Sequence, residues 1–163
     1  MGNEHVATYL NDHLAGSVVA IELLEHLEAA HPGTPLERFF AELRADIEAD
    51  RQELEAIMGR LGVAESRTRK ATAWLTEKIT QLKLRVDDPA GGALRLLEGL
   101  DALAIGIDGK LALWQALTAA AENAPELRVA DYKKLTERAV EQRSRVEVLR
   151  LEAAKKALTS ITK

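Results

Sequence analysis

The chain has no cysteine, which excludes disulfides, thiolate catalysis and thiolate metal sites. Aromatic residues supply only 4% of its 163 positions, and there are just 4 prolines. Signals for β-strands are missing too: no stretch alternates apolar and polar residues, and no Asn-Gly or Asp-Gly turn sits between β-branched runs. No apolar run approaches the ~20 residues that a bilayer span requires. The opening Met1–Tyr9 carries Glu4 and His5 where a secretory signal would have a basic start and an apolar run, so a cytoplasmic protein is expected. The net charge is a modest −4. Even the most basic stretch, Arg143 to Lys156, interleaves Arg with Glu, which describes a salt-bridged helix face rather than a nucleic-acid surface.

Leu, Ala and Glu dominate what remains, and these residues lose least on entering a helix. Punctuation is confined to four places: His31-Pro32-Gly33-Thr34-Pro35, Gly59 to Gly62, Asp87-Asp88-Pro89-Ala90-Gly91-Gly92, and Asn123-Ala124-Pro125. Between them lie five segments of helical periodicity, at about 4–30, 36–61, 66–86, 93–122 and 126–160. The first aligns Val6, Leu10, Leu14, Val18, Ile21 and Leu24. The second aligns Phe40, Leu43, Ile47, Leu54, Ile57 and Leu61, with Thr34 as its N-cap, Pro35 at the first turn and Glu37 as capping-box partner. The fourth carries Leu100, Leu103, Ile107 and Trp114, and the fifth Leu135, Ala139, Val146 and Leu149.

Short turns join the first helix to the second and the fourth to the fifth, so each pair is expected to form an antiparallel hairpin. The third, about twenty residues at ~1.5 Å each, is long enough to carry the chain from one end of a bundle to the other. The expectation is one all-α domain over residues 1–163: a four-helix bundle of two hairpins with a shorter fifth helix as crossover.

In this order and length of helices, the whole chain resembles the ferritin-like superfamily. The run Tyr9-Leu10-Asn11-Asp12-His13-Leu14-Ala15-Gly16 also resembles the opening of a group of small bacterial helical proteins with no assigned activity. The ferritin-like resemblance would imply a di-metal centre, built from one Glu on each of two helices and a Glu-x-x-His on each of the other two. The chain departs from that pattern. Its four histidines, His5, His13, His26 and His31, all precede residue 32. Where the motif would fall stand Asp50-Arg51-Gln52-Glu53 and Glu141-Gln142-Arg143-Ser144. Glu98 and Asp101 project away from the apolar stripe of the fourth helix. No metal ligand set and no cofactor is therefore assigned.

More informative are polar residues that interrupt the apolar stripes. His13 and Ser17 fall inside the arc of the first helix, Asp50 lies between Ile47 and Leu54, and Gln142 sits between Ala139 and Val146. Folding each hairpin about its turn, with the crossover returning the chain, places all four near mid-bundle. They face a fourth helix that presents apolar residues and Gly106. Three readings follow: a satisfied internal network that fixes helix register, a small-molecule pocket made roomy by Gly106, or a mononuclear metal on His13 and Asp50, which two protein ligands support poorly.

Other features carry less. Glu22 and His26 share a face four residues apart, which describes a solvated surface. Gly106-Ile107-Asp108-Gly109-Lys110 lacks the strand, the spacing and the Ser or Thr of a phosphate loop. Trp114 falls on the inner line, and Trp74 at the edge of the third helix. The reading that results is a metal-independent, non-catalytic binding or interaction module. It would take a small molecule or a protein partner, with no nucleic acid or membrane, and its third helix leaves an apolar edge compatible with a homodimer. The alternative is a metal-binding oxidoreductase-type protein with an unconventional site around His13 and Asp50.

Overall fold

The structure, a computed structural model, describes residues 3–66, 73, 77, 80 and 92–159. Four long α-helices account for most of them: α1 (Glu4–Ala30), α2 (Pro35–Arg60), α3 (Gly92–Asn123) and α4 (Tyr132–Thr159), with a single 3₁₀ turn at Pro125–Leu127. There is no strand among the described residues. The predicted third helix, with Trp74, lies outside them except for Ala73, Glu77 and Thr80, which are helical and exposed.

Local chemistry sets the ends. Asn3 caps α1, its Oδ1 accepting from the His5 and Val6 amides at 3.1 and 3.3 Å. The predicted capping box at α2 is rearranged. Thr34 turns its hydroxyl back to the His31 carbonyl, and the Glu37 carboxylate accepts from the Gly33 amide at 2.6 Å. Gly33 (φ 72) makes the α1–α2 turn, and Gly62 (φ 67) ends α2, its neighbour Val63 donating back to the Met58 carbonyl. The last predicted helix begins later than its periodicity suggested. Residues after Pro125 form the 3₁₀ turn, pinned by Tyr132 donating to the Leu127 carbonyl at 2.7 Å and by Arg128 donating to Ala121 at 3.0 Å.

Packing follows the apolar stripes. α1 lies along α2, α3 lies along α4, and α1 also packs on α3. The core runs through Leu10, Leu24, Phe40, Leu43, Ile57, Leu100, Leu103, Ala139 and Val146. Each fully buried Leu or Phe contributes about 1.5–3 kcal/mol by leaving water. At Gly99 the Leu27 side chain of α1 packs directly on α3: a Cβ there would stand 2.9 Å from a Leu27 methyl. Gly92 shares a small cleft with His26 and His31, so α3 starts beside the end of α1. Arg60 donates to the Val129 carbonyl at 2.9 Å, so α2 ends beside the start of α4. Helix α1 therefore runs antiparallel to both α2 and α3, and Arg60 and Gly92 lie at opposite ends of the bundle. No described helix is long and apolar enough to cross a membrane.

Candidate functional site: a buried Asp50 cluster beside a cavity

Asp50 sits midway along α2 on its buried face, 2% exposed. An ionised carboxylate in that position requires cations and donors, and three side chains supply them. Lys110 of α3 places Nζ 2.6 Å from Oδ2. Gln142 of α4, also 2% exposed, donates Nε2 to the same oxygen at 2.8 Å. Arg138 of α4 brings Nη2 to 2.8 Å from Oδ1 as an ion-pair contact whose N–H bonds are not aimed at that oxygen. Lys110 closes a triangle by donating a further hydrogen bond to Gln142 Oε1. One level along, Asp46 pairs with Arg145, which also binds Glu141. Charged groups thus join α2 to α4, as Arg143–Asp108 and Arg150–Asp101 join α3 to α4.

Burial pushes the Lys110 ammonium below its ordinary value, the neighbouring Asp50 carboxylate opposes that shift, and Arg138 adds to it. With its side chain 15% exposed and its charge beside Asp50, Lys110 is the most enclosed cation of the cluster.

Next to this cluster, α1, α2 and α3 enclose a cavity of about 300 Å³. His13 and Ser17 of α1 line one wall, Asp50 and Arg51 of α2 a second, and Lys110 and Trp114 of α3 a third. Between the polar groups the walls are apolar, formed by Ala20, Ile47, Leu54, Leu103 and Leu113. The room comes from glycine. Gly16, Gly106 and Gly109 all line the space, and a Cβ at any of them would meet nothing within 4 Å.

Of the four residues expected to converge, the structure brings Asp50 and Gln142 into direct contact and places His13 and Ser17 with Asp50 on the cavity wall. Ser17 does not join the cluster. Its hydroxyl donates to the Leu14 carbonyl at 2.6 Å, within its own helix. His13 packs edge-on against Tyr9, ring centroids 4.7 Å apart, and burial lowers its pKa, with Asp12 opposing. The expectation that α3 contributes only apolar residues and Gly106 is corrected: Lys110, one turn beyond Gly106, enters the layer. Arg138 is the second addition. A buried acid calls for a cation, but nothing in the sequence marked which one would reach it. Asn11 is a further buried polar residue, donating Nδ2 to the Ala7 and Ala64 carbonyls and accepting from the Ser66 amide at 2.6 Å. It secures the segment that follows α2.

Trp114 is 1% exposed and packs its ring at 6.5 Å from that of Tyr132. Its indole Nε1 has no acceptor among the described residues. The described residues contain no group of three or more His, Cys, Asp or Glu positioned to hold a metal ion. No family model, no curated protein and no solved structure matches the chain.

Proposed function

We propose that this chain is a ferritin-like bundle that has exchanged the di-metal centre for a buried ion cluster, and that it works as a non-catalytic module binding a small molecule in the cavity beside Asp50. The single observation that carries the reading is that cavity. It measures about 300 Å³, at the lower end of small-molecule sites, and combines apolar walls with a few converging polar groups in the manner of such sites. The arrangement of the helices supports the ferritin-like part, because α2 and α3 run in the same sense, as two hairpins joined by a crossover require. A metal centred on His13 and Asp50 has less support, since both Asp50 oxygens face Lys110, Gln142 and Arg138.

Thermal unfolding of the wild type and of Gly106→Leu, each with a panel of small, mostly apolar fragments, tests the proposal. Leucine at 106 would project into the open space found there. A fragment present at about 100 times its Kd adds roughly 2.7 kcal/mol to the folded state, a rise of several degrees in Tm. The expected outcome is a set of fragments that stabilise the wild type and leave the variant unmoved. Fragments that shift neither protein, or both alike, overturn the proposal. Elemental analysis of the same preparation by plasma mass spectrometry examines the metal alternative, and a stoichiometric transition metal lost in His13→Ala would replace the small-molecule reading.

A further inference from the structure

The outer face of α4 carries apolar residues that the bundle does not use. Seven large apolar side chains are exposed among the described residues, and four of them, Val140, Val148, Leu151 and Leu158, lie on this one helix. Val148 and Leu158 are 65% and 72% exposed. At about 100° per residue the four fall within an arc of about 80°. That arc points away from the buried Ala139, Gln142, Val146 and Ala153 of the same helix. Helices α2 and α3 reach α4 on its other sides, through Arg138–Asp50 and Arg143–Asp108. Single exposed leucines are ordinary, but a stripe about 27 Å long, at ~1.5 Å per residue, is what one helix offers another.

Charges beside the stripe specify which helix. On the side where Arg145 reaches Asp46 of α2, exposed Glu137 and Glu141 border the Val140 end and exposed Lys155 borders the Leu158 end. Arg145 and the exposed Glu152 stand between them. A half-turn about the midpoint of the stripe, perpendicular to the helix, carries Val140 towards Leu158 and Val148 towards Leu151. The same rotation carries Glu141 towards Lys155 and Arg145 towards Glu152. Apolar residues thus exchange with apolar ones and acids with bases, which is the self-complementarity of a two-fold interface. A parallel pairing would bring like ends together. We infer that two copies of this chain pair through the outer face of α4, antiparallel, about a two-fold axis close to Val148. The pairing is independent of the cavity, which lies among α1, α2 and α3. One helix from each copy buries less than the standard ~800 Å² per partner, so the dimer has a Kd in the micromolar range.

Sedimentation equilibrium up to about 200 μM, a range that spans micromolar affinities, tests the association. The wild type is expected to dimerise. Val148→Glu, an exposed substitution that sets two carboxylates near the axis, is expected to weaken the dimer at least about tenfold. Single cysteines report the arrangement, because the chain has none of its own. With a short bis-maleimide, Val148→Cys is expected to cross-link to itself. Val140→Cys and Leu158→Cys are expected to cross-link when mixed and not when alone, since each lies about 27 Å along the helix from its own counterpart. A wild type that stays monomeric throughout overturns the inference, and so does a dimer that Val148→Glu leaves intact. Val140→Cys joining to itself, with no product on mixing, overturns the antiparallel arrangement.

Discussion

Asp50 is a residue whose removal costs more than the pair it belongs to. Taking away one member of a buried ion pair leaves the other charge uncompensated, a loss of about 3–5 kcal/mol, whereas replacing both by apolar residues of similar size is often close to neutral. Asp50→Ala, which strands Lys110 and half of Gln142, is therefore expected to lower the unfolding free energy by about 3 kcal/mol. The double variant Asp50→Leu/Lys110→Met should recover most of that loss. Denaturant unfolding checks both, and a double variant less stable than Asp50→Ala would contradict the pairing. Asp50 and Gln142 were legible in the sequence because each interrupts an apolar stripe. Lys110 was not, since its position on α3 is unremarkable and only its long apolar stem lets the ammonium reach inward. Ser17 was read correctly as facing inward, but a hydroxyl can satisfy itself on its own helix, which periodicity does not reveal. Asn11 went unread because its acceptor and donor, Ala64 and Ser66, lie more than fifty residues away in sequence.

Element by element, the glycines of α3 divide into two kinds. The helix continues through Gly99, Gly106 and Gly109 without interruption, although each glycine inside a helix costs about 0.5–1 kcal/mol relative to alanine. At Gly106 an added methyl meets open space, so Gly106→Ala is expected to gain that amount. At Gly99 it would press on the buried Leu27 side chain at 2.9 Å, and overpacking of this kind costs about 1–3 kcal/mol. Gly99→Ala is thus expected to be neutral or destabilising, at least about 1 kcal/mol below Gly106→Ala in denaturant unfolding. Equal gains at the two positions would contradict the packing of α1 on α3. The sequence could place glycines in the helix but not tell them apart, because the difference lies in what faces them across the bundle. Among the described residues, the extents of α1, α2 and α3 were legible from punctuation and stripes. The start of α4 was missed, since Pro125 opens a 3₁₀ turn that looks the same in sequence as the first turn of an α-helix.

At the scale of the whole molecule, the joints of the bundle combine apolar stripes with charged contacts. Asp46–Arg145, Asp50–Arg138 and Asp50–Gln142 cross the α2–α4 face, Arg143–Asp108 and Arg150–Asp101 cross α3–α4, and Arg44–Glu28 links α1 to α2. Two hairpins were expected because short turns force the helices they join to lie side by side. The way the hairpins meet depends on tertiary register, which no stripe encodes, and the cavity emerges only there, from three glycines on two helices brought to one level. That space is the central claim. A crystal pressurised with xenon tests it most directly, because xenon enters enclosed apolar spaces and is seen as strong isolated density. The account expects a xenon site bounded by Gly16, Leu54, Leu103 and Gly106, absent in Gly106→Leu. A wild-type crystal in which α1 and α3 close over this region, with no xenon between them, would contradict it.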